Sequence, residues 1–102
     1  ADFEPWGVGV EIDGVAHLRV ADAERDDHRR NVLGTGGRLM ITISSHLVRV
    51  RPGAAAVMTA AALLSRGWQP GTATLAGLER LAVAEGMDLR TGDWRRPARP
   101  AS

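Results

Sequence analysis

The feature that most constrains the fold is the alternation of apolar and polar residues over residues 38–50. In its first half, the apolar residues share one parity: Leu39, Ile41 and Ile43. In its second half, the apolar parity is the opposite one: Val48 and Val50. A strand continuing unchanged through this point would turn its later side chains to the wrong face of a sheet. We therefore predict a central strand over 38–50, with a bulge or break between Ser44 and Leu47.

Residues 6–20 predict a β-hairpin around Asp13 and Gly14. A two-residue loop would set polar residues opposite the apolar face, whereas a three-residue loop ending at Gly14 gives one continuous apolar face. The cross-strand pairs are then Val10–Ala16, Val8–Leu18 and Trp6–Val20. This register requires Gly14 in the left-handed region, followed by a bulge. The hairpin and the central strand together predict an antiparallel sheet of three to four strands.

The densely charged residues 21–31 have no apolar period and predict a loop with some helical turn. Residues 34–37, Gly-Thr-Gly-Gly, predict a turn before the central strand. Val32 and Leu33 are expected to form a brief strand on the other side of that turn.

Two helices are predicted after the sheet. The first covers residues 54–66, rich in alanine and leucine, and ends at Gly67. The second covers residues 74–85, with Thr72 or Thr74 as its cap and Gly86 as its stop. Strands and helices are separated along the chain, so the predicted class is α+β, with both helices packed on one face of the sheet. Met87 and Leu89 are expected to fold back against the core.

The predicted organisation is a single α+β domain over residues 1–89 and a basic tail over residues 90–102. The tail mixes arginine with proline, a composition typical of extended or disordered segments. Trp94 is an unusual residue for such a tail, and two roles are open for it. It either anchors the tail to its own domain or contacts a partner.

Composition excludes several classes of protein. The chain has no cysteine, which rules out disulfides, thiolate metal sites and a cysteine nucleophile, and is compatible with a reducing compartment. Its longest apolar run, residues 54–64 with Thr59 inside it, is shorter than the roughly 20 residues that a membrane span needs. No signal peptide is visible, so we expect a soluble, cytoplasmic protein that does not enter a membrane. All 13 basic residues are arginine, a usage typical of a GC-rich bacterial genome.

Charge is distributed unevenly along the chain. Residues 1–27 carry eight acids and two arginines, a net of −6, whereas residues 28–102 carry eleven arginines and four acids, a net of +7. Such asymmetry can serve self-association or a charged partner. Alternatively, the two halves neutralise each other within one fold.

The motifs that could carry chemistry are incomplete. Residues 34–37 are not a dinucleotide loop, because the motif needs a further glycine where Leu39 stands and a helix after it. Ser44 and His46 share a strand face, but no nucleophile elbow surrounds them. The three histidines do not have the i, i+4 spacing of a zinc-binding helix. We therefore predict no catalytic residues, no metal and no cofactor.

The leading hypothesis is a non-catalytic accessory protein that docks on a larger protein or self-assembles. Its predicted partner-binding residues are tryptophan and arginines, which are favoured at interfaces: Trp94, Arg95, Arg96 and Arg99. An alternative is a nucleic-acid-binding regulator, because residues 54–86 loosely resemble a helix-turn-helix and the tail is basic. A second alternative is a small enzyme with a site near Asp27, His28 and Arg38.

Overall fold

The computed structural model describes residues 2–14, 29–33 and 35–95, with residues 29–33 and 35 described by their backbone alone. The regular elements of these residues, in chain order, are β1 (Asp2–Phe3), β2 (Val8–Asp13), β3 (Arg29–Leu33), β4 (Leu39–Ser44), α1 (Ser45–Val50), α2 (Pro52–Ser65), α3 (Thr72–Glu85), β5 (Met87–Asp88) and β6 (Asp93–Trp94). The predicted α+β class is confirmed, although the described part of the chain has three α-helices and not two.

The main sheet is mixed, with strand order β1-β2-β4-β3. Strands β2 and β4 run parallel, in a register that pairs Val8 with Leu39 and Ile12 with Ile43. Strands β1 and β3 are antiparallel to β2 and β4 respectively. The predicted antiparallel sheet is therefore wrong at its centre. Parallel neighbours need a long crossover between them, and local hairpin signals cannot indicate which distant strand closes such a pair.

Strand β2 supplies the first arm of the predicted hairpin. The second arm, residues 15–20, and its cross-strand pairs lie outside the described residues. The predicted left-handed conformation of Gly14 is wrong, because its φ is not among the positive values found for described glycines. Glycine adopts either sign of φ almost equally well, so its presence permits a left-handed turn without requiring one.

The turn before the central strand is confirmed by a 3₁₀ turn at Thr35–Gly37, where Gly36 and Gly37 have φ values of 74° and 76°. The strand predicted at Val32 and Leu33 is also confirmed, but it begins earlier, at Arg29. The loop predicted for residues 21–31 is thus wrong over its last three residues, and residues 21–28 lie outside the described part. Because β3 is an edge strand of the sheet, charged residues are tolerated in it.

The central strand is shorter than predicted. Strand β4 ends at Ser44, and the residues predicted to continue it to Val50 form helix α1. The Ser44 hydroxyl accepts a hydrogen bond from the Leu47 N–H at 3.1 Å, so Ser44 is the N-cap of that helix. The break predicted between Ser44 and Leu47 is confirmed. The parity change that indicated it marks the start of a helix, which buries Leu47.

The next two helices start slightly before their predicted positions. Helix α2 begins with Pro52. Proline suits the first helical position because an N–H there would have no acceptor within the helix, so none is lost. Helix α3 ends at Glu85 and is followed by Gly86, whose φ of 71° is the left-handed conformation that glycine favours after a helix. The threonine cap predicted for α3 is wrong. Its N-cap is Gly71, which makes no side-chain bond, and Thr72 is already helical.

One hydrophobic core joins strands and helices. It includes four residues of β2, β4 and α1, namely Val8, Ile41, Ile43 and Leu47. Helix α2 adds alanines and larger side chains, among them Ala54, Val57, Met58 and Leu63. Ala82 and Met87 complete it from the C-terminal side, and Leu89 packs against it. The expected return of Met87 and Leu89 to the core is confirmed. None of the helices in the described ranges has the length and apolarity of a bilayer-crossing segment.

Candidate binding groove

The C-terminal hairpin, residues 87–94, is formed by β5 and β6, which pair Met87 with Trp94 and Asp88 with Asp93. Its turn is held by short-range bonds: the Arg90 N–H donates to Asp88 Oδ1 at 2.8 Å, and the Gly92 N–H donates to the Asp88 carbonyl at 2.7 Å. The predicted boundary between a domain at 1–89 and a tail at 90–102 falls inside this hairpin. The tail beyond Arg95 lies outside the described residues.

Arg51 links the C-terminal hairpin to α2 and α3. Its Nε and Nη2 donate to Glu85 Oε1 at 3.0 and 2.6 Å, and Nη2 also donates to the Glu85 carbonyl at 3.0 Å. The guanidinium carbon lies 4.5 Å from the centroid of the Trp94 ring. A planar guanidinium can bond in its plane and stack on an aromatic face at the same time. One side chain therefore joins the start of α2, the end of α3 and the hairpin.

The Arg51–Glu85 pair also complements the helix termini. Arg51 donates to a carbonyl at the C-terminus of α3, where positive charge is favourable. Glu85 lies beside the N-terminus of α2, where negative charge is favourable. A Cβ at Gly53 would come within 2.6 Å of Glu85 Oε2, so the carboxylate approaches the helix backbone at a glycine. Each member of the pair thus contacts the helix end of opposite charge.

The predicted partner-binding residues Trp94 and Arg95 contact their own domain. Trp94 is half-buried against the core. The Arg95 N–H donates to the Gly86 carbonyl at 2.7 Å, and its Nε donates to the Met87 carbonyl at 3.0 Å. Arg96 and Arg99 lie outside the described residues. For Trp94, these contacts favour the anchoring role, and the partner-binding role of the four residues stays a prediction.

A groove of about 780 Å³ lies between α2, α3 and the C-terminal hairpin, and we call it the C-terminal groove. Its apolar lining comes from Leu64, Leu75, Ala82, Val83 and Leu89. Its polar lining comes from Ser65, Glu79, Asp88, Arg90 and Arg95. Val83 is 69% exposed, the highest value among the large exposed apolar side chains of the described residues. The groove therefore combines an accessible apolar surface with charged groups of both signs.

A second groove, of about 370 Å³, lies beside the sheet. Its lining is almost entirely apolar and includes Val10, Ile12, Val48 and Trp68. We consider the C-terminal groove the better candidate site, because binding sites generally combine apolar surface with a few polar groups that fix the orientation of the ligand.

The residues of the other predicted sites are described only in part. Arg38 forms an ion pair with Asp2, which links β1 to the start of β4, and Asp27 and His28 lie outside the described residues. His46 is in helix α1, and the hydroxyl of Ser44 caps that helix. Within the described ranges, no three His, Cys, Asp or Glu side chains are grouped as metal ligands would be.

The lining of the C-terminal groove was not identified from the sequence. The sequence indicates an apolar stripe on α3, and Leu75 and Ala82 belong to it. Val83 follows Ala82 in the sequence, so an apolar residue directly beside this stripe was the signal that could have indicated the groove. Leu64 and Leu89 come from other elements, and their approach to α3 depends on tertiary packing. The chain matches no protein-family model, and no curated protein or solved structure shows significant similarity to it.

Proposed function

We propose that the protein is a small non-catalytic binding module that docks on a protein partner through the C-terminal groove. The observation that carries the proposal is the exposure of Val83 beside the half-buried Leu64, Leu75 and Leu89. A single exposed valine is ordinary on a protein surface, whereas several apolar side chains that line one groove with a charged rim are typical of interaction sites.

The nucleic-acid alternative receives less support from the described arginines. Binding to phosphates needs guanidinium groups that are available to the backbone of the nucleic acid. Arg38 and Arg51 are paired with carboxylates, and Arg66 donates to the Gly37 carbonyl. These contacts occupy part of the basic surface on which that alternative relies.

The proposal is tested by recovering the tagged full chain from an extract of its own source cells and weighing the complexes in native buffer. Two variants are compared with the wild type, Val83→Asp in the groove and Val50→Asp outside it. Both valines are on helices and largely exposed, at 69% and 60%, so both substitutions should leave the fold intact. We expect a stoichiometric protein partner with the wild type and Val50→Asp, and its loss with Val83→Asp.

Two outcomes would contradict the proposal. A partner retained by Val83→Asp would show that the C-terminal groove is not the docking site. Recovery of nucleic acid that is released as salt increases would support the regulator alternative instead.

A homo-oligomer that dissociates only with Val83→Asp would identify a second copy of the chain as the protein partner.

A further inference from the structure

We infer that the C-terminal groove takes an extended segment of another protein in which a basic residue, an apolar residue and an acidic residue follow one another. This inference rests on the proposed function and adds the chemistry of the partner. It is drawn from the arrangement of charge along the groove: a carboxylate lies on the helical side, and a fixed guanidinium lies at the hairpin end.

Glu79 provides the negative end of the groove. It is exposed on α3 and lies in the groove lining with Leu75 and Val83. In the described part of the chain, no ion pair engages its carboxylate. An exposed carboxylate beside apolar surface can accept hydrogen bonds from an arginine or lysine whose aliphatic stem packs on that surface.

Arg95 provides the positive end. Its backbone and its Nε are bonded to the Gly86 and Met87 carbonyls, so the guanidinium is held at the end of α3. Because a guanidinium has five N–H donors, the groups at its other nitrogens are suited to a carboxylate of the partner. A charge held in place by its own domain loses less conformational freedom on binding than a mobile one.

Asp88 and Arg90 add little to the separation of negative charge at Glu79 from positive charge at Arg95. Arg90 Nη2 lies 3.7 Å from Asp88 Oδ2, and the Arg90 N–H donates to Asp88 Oδ1. The two side chains form a local pair of opposite charges at the hairpin end. Glu79 and Arg95 therefore remain the two separated charges of the groove lining.

The spacing along α3 gives the reach of the partner segment. Glu79 precedes Gly86, to which Arg95 is bonded, by seven residues of the sequence. Since a helix rises 1.5 Å per residue, Glu79 and Gly86 are separated by roughly 10 Å along the helix axis, and the Arg95 guanidinium is bonded one residue further on, at the Met87 carbonyl. An extended chain covers that distance in about three residues. The basic and acidic residues of the partner are therefore expected about three positions apart, with the apolar side chain between them over Val83.

The test is selection of short random peptides on the immobilised full-length chain, followed by titration of the selected peptide in solution. We expect enrichment of a basic and an acidic residue about three positions apart, with a large apolar residue between them. The variant Glu79→Arg should weaken binding of that peptide about fivefold, and should favour a peptide whose basic residue is replaced by glutamate. The control is Arg80→Glu, an exposed neighbour outside the groove lining, which should leave the affinity unchanged.

A selection without this charge pattern, or a pattern that Glu79→Arg leaves unchanged, would overturn the inference. Circular dichroism of each variant checks that the helices are retained. The inference and the proposed function fail in different ways. If Val83→Asp abolishes capture of the partner while Glu79→Arg does not alter peptide preference, the charge pattern is wrong and the binding module stands. If capture does not depend on Val83, the proposed function itself is wrong.

Discussion

Replacing Arg51 by methionine should weaken the junction between the helices and the C-terminal hairpin. Its ion pair with Glu85 is partly exposed, with side-chain exposures of 42% and 20%, so solvent screening limits that contribution to about 0.5 kcal/mol. The hydrogen bond to the Glu85 carbonyl adds about 1 kcal/mol. The contact with the Trp94 ring adds about 0.5 kcal/mol. We therefore expect Arg51→Met to lower the free energy of unfolding by about 2 kcal/mol.

The measurement is urea unfolding followed by circular dichroism, repeated as a thermal melt in which Tm should fall by roughly 10 °C. The control is Arg49→Met, an exposed arginine in the last turn of α1, with an expected loss below about 0.5 kcal/mol. A double-mutant cycle with Trp94→Leu should give a coupling near 0.5 kcal/mol between the two side chains. Equal losses for Arg51→Met and Arg49→Met would refute the reasoning, because the contacts of Arg51 would then contribute nothing measurable.

Three further substitutions test the local structure by urea unfolding. Ser44→Ala removes the cap of α1 and should cost about 1 kcal/mol, while Ser45→Ala should cost less than half as much; equal costs would argue against the cap. Met87→Ala should cost about 3 kcal/mol because the side chain is fully buried, and a loss near zero would contradict its place in the core. Gly86→Ala should cost about 1 kcal/mol because of the positive φ, whereas Gly71→Ala, at an ordinary φ of −61°, should cost clearly less.

Sequence patterns predicted the two long helices well because both are long, rich in helix-forming residues and followed by glycine. The structure of the segment after Ser44 was harder to predict. A six-residue segment such as α1 has too few residues for its periodicity to distinguish helix from strand. The opposite parity of Val48 and Val50 indicated a change of structure but not its type, whereas a serine at that point is typical of a helix N-cap. Together, the parity change and Ser44 as a helix N-cap favour a helix that begins at Ser45, which is where α1 begins.

The parallel strand pair and the C-terminal hairpin were not predicted, for a different reason. The parallel pairing of β2 with β4 joins segments that are distant in the sequence. No local feature of either strand indicates which other strand it pairs with. In the C-terminal hairpin, the turn residues Asp88, Thr91 and Gly92 were visible, but the neighbouring prolines and arginines favoured a tail. The C-terminal groove depends on the second of these features, because it lies where the hairpin approaches α3. The sequence shows which of its lining residues are apolar, but not that they lie close together in the fold.

The parallel pairing has a consequence for the order of folding. Paired residues of β2 and β4, such as Val8 and Leu39, are 31 positions apart in the sequence, whereas α2 and α3 are joined by residues 66–71 alone. Closing the longer loop costs more entropy, and contacts between distant residues slow folding. We expect the helical pair to form early and the sheet to close late. In a nascent chain, β2 emerges from the ribosome before β4, so the parallel pair cannot form until residues 39–44 have also emerged.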